Sequence, residues 1–119
     1  MMVEDDPIIR GLLREVLESL GYQVIEAGSG PEALQKALER PGRIDLLLTD
    51  MVMPGMNGRE LADALRRERP GVRILYLSGY TRDILTKQGL LEAGAALVQK
   101  PLTTGILAYM VRRVLDGDA

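Results

Sequence analysis

The chain has 119 residues, a length for one folded unit at roughly 150 residues per domain. Its 15 basic and 17 acidic residues leave a net charge of −2, which argues against bulk attraction to nucleic acid or to an anionic membrane. It has neither Cys nor His, which excludes a disulfide framework, thiolate chemistry, His-ligated zinc and imidazole general base catalysis.

Met1-Met2-Val3 is a short apolar run, and only three residues precede Glu4. A central strand is usually longer, so the chain is expected to begin inside one. From Pro7 to Leu20 the residues Ile8, Ile9, Leu12, Leu13, Val16, Leu17 and Leu20 recur at helical spacing, with Asp6 placed as the cap and Gly21 as the stop. Residues Tyr22 to Ala27 read as a second strand. Gly28 to Pro31 is a turn that opens a second helix through Ala33, Leu34, Ala37 and Leu38, broken at Pro41-Gly42. Ile44 to Thr49 is continuously apolar through Leu46-Leu47-Leu48, as expected of a strand covered on both faces. A loop from Asp50 to Asn57 leads into a third helix over Gly58 to Arg69. Val72 to Leu77 is the fourth strand, Arg82 to Leu91 the fourth helix, weakened by Gly89. Ala95 to Gln99 is the fifth strand and Thr103 to Leu115 the fifth helix.

The order is (βα)5 with short connections. Strict alternation predicts an α/β fold, an open, doubly wound parallel sheet with helices on both faces. Five units are too few for an eight-stranded barrel. No internal repeat, low-complexity tract or linker divides the sequence, so residues 1–119 read as a single domain. No apolar run approaches the roughly 20 residues of a membrane span, and no leader pattern opens the chain. A cytoplasmic location without membrane contact is the expectation.

In such a sheet, sites form beyond the carboxyl ends of the strands. Glu4, Asp5 and Asp6 follow the first strand, Asp50 the third, Ser78 the fourth and Lys100 the fifth. Each has an ordinary explanation: Asp6 as a helix cap, Glu4 and Asp5 as solvated loop charges, Asp50 and Ser78 as turn residues, Lys100 as a surface charge. Their convergence from four strands on one edge is harder to assign to turn preferences. Crowded carboxylates must take up a proton or recruit a cation. Mg2+ fits, since it takes oxygen ligands from one or two carboxylates together with a phosphate oxygen. An Asp carboxylate can itself attack phosphorus to give an aspartyl phosphate, a transfer that depends mostly on positioning and charge neutralisation.

Four separated segments, Val3-Glu4-Asp5-Asp6-Pro7, Thr49-Asp50-Met51-Val52-Met53-Pro54-Gly55-Met56-Asn57-Gly58, Leu77-Ser78-Gly79 and Gln99-Lys100-Pro101, resemble the receiver domain of two-component response regulators, with CheY-like architecture. The resemblance covers essentially the whole chain. It implies a flavodoxin-like sheet in the order 2-1-3-4-5, with Asp50 as the phosphoacceptor. It implies a Mg2+ (or Mn2+) site of Asp5 and Asp50, with Glu4 acting through water and Val52 through its backbone carbonyl. Ser78 matches the switch hydroxyl, and Lys100, whose bond to Pro101 is commonly cis in the family, pairs with carboxylate or phosphoryl oxygen. The implied partner is a histidine kinase or histidine phosphotransfer domain that supplies the phosphohistidine. No direct contact with nucleic acid is implied, and the domain is expected to be a monomer or weak dimer. The segments around Tyr76-Leu77-Ser78-Gly79-Tyr80 and Lys100-Pro101-Leu102 look like receivers at the C-terminus of hybrid sensor histidine kinases.

One position departs from the pattern: where many receivers carry Tyr, Phe or His, this chain has Leu97. The signal is then expected to pass through the backbone after Ser78 and the fourth helix. Leu97 gives slight support to a degenerate receiver that serves only as an interaction module. The intact set Asp5, Asp50, Ser78 and Lys100 counts against it. Haloacid-dehalogenase-like phosphatases also use a strand-end Asp with Mg2+, but they need a second Asp two positions on, which here is Val52. Without that group a phosphoaspartate hydrolyses slowly, as suits a switch rather than an enzyme of rapid turnover. A nucleotide or flavin binder lacks support, since no glycine-rich phosphate loop follows the first strand.

Overall fold

The computed structural model describes residues 1–92 and 94–117. Its elements, in chain order, are β1 (Met2–Val3), α1 (Pro7–Ser19), β2 (Glu26–Ala27), α2 (Gly30–Glu39), β3 (Leu46–Asp50), α3 (Gly58–Glu68), β4 (Arg73–Ser78), α4 (Arg82–Lys87), β5 (Ala96–Gln99) and α5 (Thr104–Asp116). All strand pairs are parallel, and the order across the sheet is β2-β1-β3-β4-β5. The chain reverses its winding direction between β1 and β3, which opens a crevice at the carboxyl ends of these two strands.

The strands alternate side chains between two cores. Leu47, Ile74 and Tyr76 face a cluster with Ala33 and Ala37 of α2, Leu61, Ala62 and Leu65 of α3, and Leu85 of α4. Leu48, Leu75, Leu77 and Val98 face the other cluster, with Leu13 and Leu17 of α1 and Leu107, Val111 and Val114 of α5. Each fully buried leucine contributes roughly 1.5–3 kcal/mol, so the two layers hold β3 and β4 as the rigid centre of the molecule.

The helices start where side chains can satisfy free backbone N–H groups. Asp6 accepts from the N–H groups of Ile8 and Ile9, ahead of Pro7 at the first turn of α1. Ser29, Thr81 and Thr103 cap α2, α4 and α5 in the same way. Asn57 and Glu60 form a reciprocal capping box at α3.

Two sequence expectations need correction. The second strand was expected over Tyr22 to Ala27, but only Glu26 and Ala27 join the sheet. β1 offers Met2 and Val3 alone as partners, so the four preceding residues have no ladder to join. The fourth helix was expected to reach Leu91 and ends at Lys87. Gly89, at φ +71°, takes a left-handed conformation that a helix cannot continue through. Other boundaries fall within one or two residues of the expectation.

Candidate functional site

The acidic edge is assembled by strand ends. β1 delivers Glu4 and Asp5, whose backbone is fixed when Glu4 N–H donates to Ala27 O at 3.1 Å. β3 ends at Asp50 and β4 at Ser78, paired so that Asp50 lies beside Leu77. Lys100 follows β5, and its N–H donates to Ser78 O at 2.7 Å. The Lys100-Pro101 bond is cis. The structure therefore brings together Glu4, Asp5, Asp50 and Lys100, with Ser78 on the adjoining strand end.

Burial separates their roles. Glu4, Asp50 and Ser78 are 1%, 3% and 4% exposed, whereas Asp5 is open to solvent. Lys100 Nζ lies 3.0 Å from Glu4 Oε1 and 2.7 Å from Asp50 Oδ1. Glu4 Oε2 accepts the Asp6 N–H at 3.3 Å. The Asp50 ion pair is close but not aligned as a hydrogen bond. Among the described residues, neither Asp50 carboxylate oxygen has a hydrogen-bond partner, although buried polar atoms ordinarily find one.

One ammonium therefore pairs with two of three carboxylates, Glu4, Asp5 and Asp50, whose ligand atoms lie within 4.8 Å of one another. Burial pushes the Asp50 carboxyl up to about 8, and the neighbouring Glu4 adds to the rise against the pull of Lys100. Glu4 moves the other way, down to about 2: burial opposes its charge, but interactions with Asp50, Lys100 and the Asp6 N–H outweigh it. Without a further cation, these opposite shifts favour a proton on Asp50 over one on Glu4. A divalent cation can take that proton's place, and the donor set of carboxylate oxygens is the kind that hard cations such as Mg2+ select. The residues thus fit a metal.

Ser78 Oγ accepts the Tyr80 N–H at 2.9 Å, so its own hydroxyl hydrogen remains available to donate. Val52 is 52% exposed in the loop that follows Asp50.

Three supporting residues escaped the sequence reading. Arg10 Nη1 donates to Glu4 O at 2.8 Å and holds the acidic turn from α1. Thr49 is fully buried, with its hydroxyl on Asp50 O at 3.0 Å. Gly58 N–H donates to Met51 O at 2.8 Å, and a Cβ on Gly58 would lie only 2.3 Å from Asp50 O. Only glycine permits α3 to start against the carbonyl of Asp50. For this position a sequence signal exists, because Asn57 followed by Glu60 marks the helix start and places Gly58 in its first turn. Arg10 and Thr49 carry no comparable local signal.

A parallel sheet in this order, with its acidic crevice at the carboxyl ends, defines a phosphoacceptor signalling domain of the CheY-like class. Residues 1–112 match the response regulator receiver domain, and the chain belongs to that family. It is similar to the sensor kinase CckA of Brucella abortus, with 34% identity over 98% of this chain and 12% of the relative. Among solved structures, it is similar to the chemotaxis protein CheY4 of Vibrio cholerae, with a TM-score of 0.83, 30% identity, and coverage of 95% of this chain and 94% of that one. The response regulator TrrA of Thermotoga maritima, solved in complex with Mg2+-BeF, has a TM-score of 0.76 and 32% identity, with coverage of 95% of each chain. The chain spans 12%, 56% and 30% of the lengths of the first three curated relatives it matches. Receiver domains work with histidine kinases or phosphotransfer proteins, and the similarity to a sensor kinase agrees with the hybrid-kinase likeness of the sequence. No helix among the described residues is long and apolar enough to cross a membrane.

Proposed function

We propose that Asp50 accepts a phosphoryl group from a partner's phosphohistidine, with residues 1–119 acting as one receiver unit in the cytoplasm. The observation that carries this reading is the buried Asp50 carboxylate, whose oxygens lack hydrogen-bond partners beside two further carboxylates and one lysine. Buried carboxylate oxygens ordinarily find donors, and among the described residues both oxygens of Asp50 go without.

In the transfer, an Asp50 oxygen attacks phosphorus in line. A P–O bond forms as the P–N bond to the donor imidazole breaks, and the imidazole leaves with the bonding electron pair. Lys100 already bridges Glu4 and Asp50 and remains beside the incoming charge as a point cation. Asp5 and Asp50, with the Val52 carbonyl and with Glu4 through water, would hold Mg2+ or Mn2+. When bound, the ion neutralises charge on the transferring oxygens. Ser78 reads the product by turning its hydroxyl toward the phosphoryl group, giving up the Tyr80 N–H it now accepts. No group at Val52 can serve as a general acid or base, so the acyl phosphate persists long enough to signal.

The test is incubation with acetyl phosphate and Mg2+, followed by intact mass. A single phosphoryl adduct on the wild type that is absent in Asp50→Asn is expected. An adduct that survives Asp50→Asn overturns the assignment. A wild type that takes no adduct favours the phosphorylation-independent interaction module instead.

A further inference from the structure

A second charged cluster lies away from the acceptor edge, on the α3 side of the sheet. Glu92, in the segment between α4 and β5, sits between two guanidiniums and a phenol. Arg66 Nη2 donates to Glu92 Oε1 at 2.9 Å, and the hydroxyl of the fully buried Tyr76 donates to the same oxygen at 3.3 Å. The other oxygen, Oε2, is buried without an aligned hydrogen bond, with Arg59 Nε 3.5 Å away. Arg59 also donates to Gly89 O at 2.8 Å. Burial opposes the charge on Glu92, but Arg66, Tyr76 and Arg59 together outweigh it, so the carboxyl stays below its ordinary range.

The arginines belong to α3, which is seated through Leu61, Ala62 and Leu65. What they hold is weakly seated. α4 has six residues and buries only Leu85. The segment after it is bracketed by Gly89 and Gly94, both at positive φ. The apolar anchor of the following segment is Leu91, buried in the core with Leu90 packed against it. α4 itself has few apolar contacts and ends at a left-handed glycine, features of an element that opens at low cost, so the polar ties at Glu92 decide where its end rests. α3 in turn starts against Asp50: Gly58 N–H bonds to Met51 O, with no room for a Cβ beside Asp50 O. Arg59 is the next residue. Contact therefore runs unbroken from the acceptor's backbone through α3 to the end of α4, without using β5 and Leu97.

We propose that Glu92 is a latch that holds the end of α4 against α3 in the unphosphorylated domain, and that its release is part of the response to charge gained at Asp50. Phosphorylation adds roughly two negative charges. That charge draws on Arg59, whose hold on Glu92 is the longest in the cluster. Glu92 and Tyr76 are positioning residues in this scheme. A latch closed only in the resting state must, by linkage, oppose phosphorylation.

The inference rests on the acceptor reading above, and its test separates the two. Amide NMR spectra of the wild type, Glu92→Gln and Tyr76→Phe are followed during titration with beryllofluoride in excess Mg2+. Before beryllofluoride is added, Glu92→Gln is expected to move the Gly89, Leu90 and Leu91 signals toward their positions in the saturated wild type. Half-saturation should then need about 5-fold less beryllofluoride. Tyr76→Phe, which keeps the core filled, should shift both readouts the same way by less, and it stands alone if Glu92→Gln fails to fold. Variants that bind with wild-type or weaker affinity overturn the latch even if their loop signals move, since a merely structural tie would do that. A wild type that does not respond to beryllofluoride overturns the acceptor reading and the latch with it.

Discussion

The molecule holds two charge clusters, one buried and one partly buried, built in different senses. At the carboxyl edge, Glu4, Asp5 and Asp50 lie together, and the single ammonium of Lys100 pairs with Glu4 and Asp50. Beside α3, the carboxylate of Glu92 faces the guanidiniums of Arg59 and Arg66, with a phenol hydroxyl in support, and Arg66 pairs with Asp63 as well. The first cluster lacks cationic charge and leaves Asp50 without hydrogen bonds. The second is balanced, two guanidiniums against the carboxylates of Glu92 and Asp63. A deficit of cation in a buried site has to be met from outside, and its cost is borne because something binds there. Guanidiniums matched by carboxylates need no charge from outside. The residue that connects the two is Gly58, with Asp50 on one side and Arg59 next in the chain.

The largest effect is expected at that connection. Gly58→Ala places a methyl group 2.3 Å from the Asp50 carbonyl oxygen, and both neighbours are backbone that cannot turn aside. Overpacking of this kind should cost about 3 kcal/mol, read as a fall in the denaturant midpoint. Uptake of phosphoryl from acetyl phosphate should fall as well. A Gly58→Ala chain of wild-type stability and phosphorylation rate would show that α3 can shift without disturbing the acceptor, and would break the link between the clusters.

The next effect tests the different senses directly, by the same chemical change in each cluster. Asp50→Asn is expected to stabilise the metal-free chain by about 1 kcal/mol near pH 8, of the size gained when a strained functional residue is relieved. Glu92→Gln is expected to destabilise by about 1 kcal/mol, since it weakens a partly buried ion pair. The pH dependence gives the sign a second check. The Asp50 carboxyl is raised to about 8 in the folded chain, so folding retains a proton there that the unfolded chain has lost. Stability from this group is complete below its unfolded pKa and is lost as pH rises through about 8. Glu4, lowered to about 2, contributes stability above its unfolded pKa that is lost as pH falls through about 2. The metal-free wild type should therefore weaken from about pH 5 to pH 8, and Asp50→Asn should flatten that slope. Equal signs for the two amide variants would erase the distinction between the clusters.

Much of the first cluster was legible in the sequence, and almost none of the second. Glu4, Asp50, Ser78 and Lys100 each follow an apolar run, and in a parallel sheet the end of such a run has one location. The periodic helices and the cap at Asp6 are local signals, so they survived folding. Tyr22 to Ile25 reads as a strand because its residues favour extended backbone, but pairing depends on how many residues β1 offers. Arg59 and Gly89 are thirty positions apart, Arg66 and Glu92 twenty-six. No spacing rule connects an arginine on one helix with a carboxylate in a loop two elements later. Gly58 lies between the two cases: its helix start is readable, while the closeness of Asp50 O depends on how α3 is laid against β3.

The smallest expected effect is at Asp5, and it is informative because it should vanish in one condition. Asp5 is the one exposed carboxylate of the acidic edge, and in the metal-free chain no side chain pairs with it among the described residues. Asp5→Ala should therefore leave metal-free stability within about 0.5 kcal/mol of the wild type. On the proposed reading, Mg2+ is held by the folded chain and not by the unfolded one, so it should raise the wild type's melting temperature with concentration, as RT ln(1 + [Mg2+]/Kd) requires. In Asp5→Ala that rise should be largely lost, because the ion would then have to be held by carboxylates already engaged with Lys100. A rise of equal size in both chains would assign the metal to Glu4 and Asp50 alone. A large loss of stability without metal would make Asp5 structural, and the acidic edge would then resemble the Glu92 cluster more closely than its charge suggests.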